Sequence, residues 1–457
     1  MPLIKSASGI RGTIGGSAGD ALTPIDIVAL TAAFGSWLLQ QEGAKTVVIG
    51  RDARPSGPMI SQLVSVTLQS LGLDVLDVGL STTPTVALAV LHKQACGGIV
   101  ITASHNPAAW NALKLLNHAG EFLDTAAAAA VFARATRSDH AFVPVGQLGQ
   151  YVPQEGAIAQ HIAQILALPL VDVAAIRRRQ FKVAIDAVNS TGGLAVPPLL
   201  QALGVAHVTP LHCTPDGHFP HNPEPLPAHL TDLAQAVPAG KHDLGLAVDP
   251  DVDRLVVIDE KGEAWGEDYT LVAVADYVLR HTPGNTVSNL SSSNALRDIT
   301  ARYSGQHYST PVGEQHVVAQ MKAVQAVIGG EGNGGVIYPG LHYGRDALVG
   351  IALLLSHLAR SGHTASALRA SYPNYAIVKQ KIQLTSTMDL TALLNRVQQQ
   401  YGTYPLNTED GIKIMFEQGW VHLRRSNTEP LIRLYAEAPT QAQAQQLADQ
   451  VRKKLPC

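Results

Sequence analysis

Three aspartates stand at alternate positions in Asp249-Pro-Asp251-Val-Asp253, with Arg254 directly after them. Alternate residues of an extended segment point to one side. The three carboxylates can therefore line one face of a loop and hold a hard divalent cation through oxygen, whereas without a cation their mutual repulsion is costly. The segment lacks the loop length and closing Glu of an EF-hand. An Asp-nucleophile phosphatase, whose Asp-x-Asp also follows a strand, is an alternative source of the same pattern. Ser104 sits in Thr102-Ala-Ser-His-Asn-Pro107, a Pro-terminated loop after an apolar run, which presents the hydroxyl rigidly. It is not a Gly-x-Ser-x-Gly elbow, so a hydrolase reading gains nothing from it. Gly329-Gly-Glu-Gly-Asn-Gly-Gly335 carries Glu331 and Asn333 on a Gly-dense turn, an acceptor and a donor–acceptor suited to neighbouring sugar hydroxyls. No Gly-Lys-Ser/Thr follows, so it is not a P-loop. Arg424-Arg-Ser-Asn-Thr-Glu-Pro430, with Arg433 beyond it, combines guanidinium, hydroxyls, amide and backbone N–H groups in one turn, a phosphate cradle. Ser8-Gly-Ile-Arg11-Gly12 places an arginine in a tight turn near the N-terminus.

The elements around these loops repeat. Thr46–Gly50, Val75–Val78 and Gly98–Thr102 read as buried strands, with helical spacing over Pro58–Leu71, Pro84–His92 and Ala126–Ala133. The pattern restarts with strands at Phe181–Asp186, Ala206–Leu211 and Leu244–Val248 around helices at Leu194–Leu203 and His229–Val237. It restarts again with strands at Thr286–Leu290 and Ala326–Gly329 and helices at Asn294–Tyr303 and His316–Val324. Strand–helix–strand repetition predicts mostly parallel sheets covered by helices, with ligands at the carboxyl ends of the strands. In each unit one apolar strand runs straight into a chemistry-bearing loop: after Thr102, Val248 and Gly329. The last stretch differs. Strands at Tyr375–Leu384, Ile412–Phe416, Trp420–Leu423 and Leu431–Ala436, a hairpin at Glu417-Gln-Gly419, and helices at Thr387–Gln400 and Thr440–Leu455 predict a smaller α+β unit. Breaks between units are expected near Pro144–Gln150, Leu255–Glu260 and Ser361–Tyr372.

The 457 residues imply several domains. A net charge of −3 gives no electrostatic footprint for nucleic acid or an anionic membrane, and 46% hydrophobic content excludes disorder as the dominant state. Cys96, Cys213 and Cys457 form neither a disulfide framework nor a zinc knuckle and fit a reducing cytoplasm. The N-terminus lacks the basic and apolar regions of a signal peptide. The aliphatic run Ala347–Leu355 is too short to span a bilayer, so a soluble chain is expected.

Taken together, Ser8–Gly12, Ala103–Pro107, Asp249–Arg254, Gly330–Gly334 and Arg424–Pro430, with Pro215–Pro220 and Pro223–Pro225 between them, resemble the α-D-phosphohexomutase family in order and spacing across essentially the whole chain. That family includes phosphoglucomutase, phosphomannomutase and phosphoglucosamine mutase. The match over Pro215–Pro225 implies that His212, His218 and His221 are loop residues and not a metal site. It implies three related α/β domains, 1–148, 149–255 and 256–368, and a C-terminal α+β domain, 369–457, around a central cleft. It implies a phosphoryl group on Ser104 and Mg²⁺ held by Ser104, Asp249, Asp251 and Asp253. The substrate would be a hexose phosphate that passes through a 1,6-bisphosphate and turns around in the cleft. Arg254, Glu331, Asn333, Arg424, Ser426, Asn427, Thr428 and Arg433 would bind it. Lys114 would be general acid/base, its pKa lowered by Arg11 and burial, with Arg11 as charge partner and His105 as loop positioner. Glucosamine phosphate is expected ahead of mannose and glucose phosphates, in a cytoplasmic monomer or homodimer. A Mg²⁺-dependent phosphatase and a non-catalytic sugar-phosphate binder are the competing readings. Two departures stand out: the third loop lacks the histidine many bacterial members carry there, and Asn427 replaces the glycine of the bacterial phosphoglucosamine mutases. Sequence offers no physical account of Arg345.

Overall fold

The computed structural model describes residues 3–41, 43–137, 140–383, 390–425 and 431–455. The first sheet holds β1 (Ile4–Ser6), β2 (Gly9–Thr13), β3 (Thr46–Arg51), β4 (Asp74–Leu80), β5 (Gly97–Ile101), β6 (Trp110–Leu116) and β7 (Tyr151–Pro153), in the order β1-β2-β6-β5-β3-β4-β7. The second holds β8 (Lys182–Asp186), β9 (His207–Leu211), β10 (Leu244–Val248) and β11 (Leu255–Asp259), in the order β11-β10-β8-β9. The third holds β12 (Thr286–Asn289), β13 (His307–Thr310), β14 (Ile328–Glu331) and β15 (Gly335–Ile337), in the order β13-β12-β14-β15. The fourth is antiparallel: β16 (Ala376–Gln383), β17 (Leu406–Asn407), β18 (Ile412–Phe416), β19 (Gly419–Arg425) and β20 (Leu431–Ala438), ordered β16-β20-β19-β18-β17.

One device recurs in the first three sheets. A buried parallel strand ends in a loop, and the chain returns as an antiparallel neighbour. β5 returns as β6, with Ile101 opposite Leu113. β10 returns as β11, with Val248 opposite Leu255. β14 returns as β15, with Glu331 opposite Gly335. Each loop is therefore anchored at both ends by a ladder, which fixes its side chains far better than a free crossover would. The return strands β6 and β11 escape the sequence reading. Asn111 and Lys114 interrupt the apolar pattern of β6, and β11 occupies the stretch expected to be a domain break. β7 likewise follows the Pro144–Gln150 stretch by rejoining the first sheet beside β4.

Three long helices also went unread. Pro24–Leu38 starts at a capping box of Thr23 and Asp26 with Pro24 in its first turn. Glu267–His281 and Ala347–Ser361 are buried almost all round, so they carry little amphipathic signal. These last two fill one apolar core shared by the second and third sheets, which includes Leu246, Val257, Val274, Ile328 and Leu353. The first and fourth sheets have cores of their own. The helix expected over Thr387–Gln400 is described from Leu390 to Gln400.

Candidate active site

Ser104 lies just past β5 with φ of +50°, a left-handed backbone that a serine adopts only when its surroundings impose it. The buried Arg54 does so. Its guanidinium donates to the carbonyls of Ser104 (2.5 Å), Asn106 (2.6 Å), Pro107 (2.6 Å) and Trp110 (3.0 Å), while Nε pairs with Asp52 at 3.0 Å. Asp52 also accepts from Thr102, whose hydroxyl accepts the Ser104 N–H at 2.9 Å. The serine loop is thus wrapped around one cation. Sequence reasoning missed Asp52 and Arg54. The available signal was the charged run Arg51-Asp-Ala-Arg54 directly after a buried strand.

The aspartates meet the serine from the second unit. Ser104 Oγ donates to Asp249 Oδ2 at 2.7 Å. The other Asp249 oxygen accepts the N–H groups of Asp253 and Arg254, each at 3.1 Å, which closes the loop on itself. Asp249, Asp251 and Asp253 are all completely buried, and one ligand oxygen from each lies within 4.8 Å of the others. Among the described residues, Asp251 Oδ1 and Asp253 Oδ1 have no hydrogen-bond partner. Buried carboxylate oxygens left bare are expensive, and three hard oxygen donors beside a hydroxyl suit a Mg²⁺-like cation. Burial and the neighbouring Asp253 and Asp251 push the Asp249 carboxyl well above the ordinary carboxylate range.

Lys114 comes from β6 and donates to Asp251 at 2.5 Å and Asp253 at 3.2 Å. The lowering expected of it is not found. Burial does favour the neutral amine, but the two aspartates outweigh it and the Lys114 pKa is raised. Arg11 is the group pushed down, to about 10, by burial and then by Arg254. His105 Nδ1 lies 3.3 Å from Ser104 Oγ. Burial, then Arg254 and Arg11, hold this imidazole well below its ordinary range, so it is neutral.

Arg345 acquires its explanation here. Its buried guanidinium reaches Asp253, Glu314 and Glu331, each at 2.8 Å. One side chain thereby ties the aspartate loop to the third-unit loop. Glu331 also accepts from Asn289 at 2.8 Å and from the Gly313 N–H at 3.1 Å. Gly334 (φ +88°) lets that loop press onto β11: its carbonyl accepts the Leu255 N–H at 2.9 Å, and a Cβ there would sit 2.5 Å from the Leu255 oxygen. From the fourth unit, Arg424 and Arg433 stand opposite each other on β19 and β20. Ser426, Asn427 and Thr428 lie outside the described residues. Arg11, Ser104, His105, Lys114, Arg254, Glu331, Asn333, Arg424 and Arg433 all line a single cleft. The aspartates lie beneath it. Lys379, paired with Glu267, and Asn289 also face the cleft, and the sequence singled out neither.

The chain matches sequence models for all four phosphoglucomutase/phosphomannomutase domains: the alpha/beta/alpha domains I, II and III over residues 3–141, 159–262 and 266–375, and the C-terminal domain over 378–454. It is 38% identical to a phosphoglucomutase/phosphomannomutase of Thermococcus kodakarensis, over 95% of this chain and 96% of that one. It is 32% identical to a probable phosphoglucosamine mutase of Methanopyrus kandleri, over 97% and 95% respectively. A crystal structure of a phosphoglucomutase/phosphomannomutase family protein from Burkholderia thailandensis superposes with a TM-score of 0.84 at 26% identity, covering 98% of this chain and 97% of that one. Four domain matches in order, relatives aligned along nearly their whole length, and a shared architecture agree: the chain belongs to the phosphoglucomutase/phosphomannomutase family of phosphohexomutases, which are isomerases.

Proposed function

We propose that this phosphohexomutase interconverts hexose 1- and 6-phosphates by lending and reclaiming a phosphoryl group on Ser104, with glucosamine phosphate as its preferred sugar. The observation that carries the reading is Ser104 Oγ 2.7 Å from Asp249, beside two buried carboxylate oxygens that lack a hydrogen-bond partner among the described residues. Ser104, Asp249, Asp251 and Asp253 would hold Mg²⁺, which offsets phosphoryl charge as it transfers. In the first half-reaction the P–Oγ bond of phosphoserine breaks, a P–O bond to the free sugar hydroxyl forms, and that hydroxyl gives up its proton. The product is a 1,6-bisphosphate. The reverse transfer from its other phosphate restores phosphoserine. Lys114 and His105 are the candidates for carrying the proton, one charged between aspartates, the other neutral beside the serine. Arg424 and Arg433, with Ser426, Asn427 and Thr428, would grip whichever phosphate is not reacting. Glu331 and Asn333 would hold sugar hydroxyls in both orientations, with Arg254 on the phosphate side. The first three units would supply the serine, metal and sugar loops, and the C-terminal unit the phosphate grip.

The preference for glucosamine rests on the third loop, Glu331-Gly-Asn333-Gly-Gly335, which lacks the bacterial histidine, and on relatives such as the Methanopyrus protein. The Thermococcus relative, named for glucose and mannose phosphates, and Asn427 favour the second reading, a phosphomannomutase/phosphoglucomutase. Side-by-side assays of glucosamine, mannose and glucose 1-phosphates, with Mg²⁺ and catalytic 1,6-bisphosphate, decide between them by kcat/KM. The highest value for glucosamine 1-phosphate is expected, and chelation of divalent cations should abolish all three activities. A higher value for mannose or glucose overturns the sugar assignment. Release of inorganic phosphate in step with substrate loss overturns the mutase reading.

A further inference from the structure

At the carboxyl end of the second sheet, where Asp186 pairs with Ala247 beside the aspartate loop, the chain gathers a second set of metal-binding side chains. Asp186 ends β8 with its side chain 1% exposed. His212 follows β9, the parallel neighbour of β8, and His221 returns over the same end from the loop that follows. His212 Nδ1 lies 3.2 Å and His221 Nε2 3.0 Å from the same oxygen, Asp186 Oδ2. We propose that Asp186, His212 and His221 form a binding site for one Zn²⁺-class transition-metal ion, separate from the Mg²⁺ candidate at Asp249–Asp253.

The geometry fits. Ligands about 2.0–2.2 Å from a tetrahedral zinc stand about 3.4 Å from one another, close to the nitrogen–oxygen separations seen. Tautomers point the same way. The Asn222 carbonyl, which can only accept, lies 2.9 Å from His221 Nδ1, so that nitrogen carries the ring proton. Nε2 then faces the Asp186 carboxylate oxygen, a contact that either a second ring proton or a metal ion can fill, so metal uptake there displaces a proton. His212 is disposed alike, with Nδ1 on Asp186 and Nε2 3.5 Å from Asp232. Metal-bound imidazoles characteristically offer their second nitrogen to such an acceptor. The remaining Asp186 oxygen accepts the Val188 N–H at 2.9 Å. His212 and His221 are about one-fifth exposed, which leaves solvent access for a fourth ligand. Two nitrogens and one oxygen select Zn²⁺ or Co²⁺ over Mg²⁺, whereas three carboxylates do the reverse. The site bears on the catalytic loop through the chain that leaves Asp186. The hydroxyls of Ser190 and Thr191 donate to the Pro250 carbonyl, inside the aspartate loop, at 2.7 and 2.8 Å. The ion is a structural pin behind that loop.

The test uses chelator-stripped protein returned to saturating Mg²⁺ and titrated with Co²⁺. The wild type should take up one Co²⁺ with the intense visible bands of four-coordinate nitrogen and oxygen ligation, displaced by Zn²⁺, and Zn²⁺ should raise its Tm. Asp251→Asn should keep this spectrum, and the paired substitution His212→Gln/His221→Gln should lose it together with the Zn²⁺-dependent rise in Tm. The Co²⁺ spectrum of the wild type stands as a readout should the paired variant fold poorly. Weak six-coordinate bands, no uptake under saturating Mg²⁺, or loss of the spectrum in Asp251→Asn would overturn the assignment.

Discussion

Arg345 is the residue whose chemistry the sequence could not explain and the fold explains most simply. Three carboxylates from three segments converge on it, and all four groups are buried. Removing one partner from a buried ionic cluster leaves uncompensated charge, at a cost of about 3–5 kcal/mol. Arg345→Met should therefore lower the thermal midpoint sharply. Arg345→Lys, a point charge that cannot fork to three acceptors, should recover part of the stability while KM for the sugar phosphate stays raised, because Glu331 is no longer held. Differential scanning calorimetry and steady-state kinetics on both variants check this. Equal behaviour of the two would contradict this, because a charge at position 345 would then contribute nothing. Lys114 is instructive in the other direction. Its place in the site came from the family resemblance, but its protonation could not, because that depends on Asp251 and Asp253 arriving from another unit.

At the scale of elements, the strands feeding the loops were readable because short, uniformly apolar runs such as Gly97–Ile101 and Leu244–Val248 are dictated by burial on both faces. The return strands were not, since Lys114 and Asn111 on β6 look polar until the cleft that receives them is known. Ala347–Ser361 was visible only as an aliphatic run, yet its start is strongly specified. Asp346 caps it, accepting the Leu348 and Val349 N–H groups at 2.8 and 3.2 Å, and pairs with His161 at 2.9 Å and His342 at 3.3 Å. Burial alone would push this carboxyl up, but the two histidines outweigh it and hold it well below the ordinary range. A carboxyl depressed in the folded state stabilises above its unfolded pKa of about 3.9 and loses that contribution as pH falls toward the folded value. Asp346→Asn should thus cost about 3 kcal/mol or more at pH 7, and the gap to wild type should close below about pH 4. Thermal unfolding of both proteins across that range measures it, and a gap that does not narrow contradicts the assignment.

For the whole molecule, the four units meet through specific contacts as well as through the cleft. The Thr83 N–H donates to the Asp251 carbonyl at 2.9 Å, Lys413 to the Leu290 carbonyl at 2.8 Å, and the Asn294 N–H to Glu437 at 3.0 Å. Such an arrangement suits one phosphate grip serving two orientations of the same sugar. Arg424→Ala should then raise KM for the 1-phosphate and the 6-phosphate by similar factors, about 10-fold or more for loss of a charged hydrogen bond. A change confined to one direction would contradict a shared grip. The sequence motifs named the loops that converge. That they converge on Ser104 was an inference from family likeness until the fold supplied the distances. The account rests on that serine, and the most direct measurement is the site of covalent label after the Mg²⁺-loaded enzyme meets a hexose 1,6-bisphosphate carrying labelled phosphorus. Peptide mass spectrometry should place one phosphoryl group on Ser104, and Ser104→Ala should take up none and lose at least about a thousand-fold in kcat. Label on another residue, or near-normal turnover by Ser104→Ala, would contradict it.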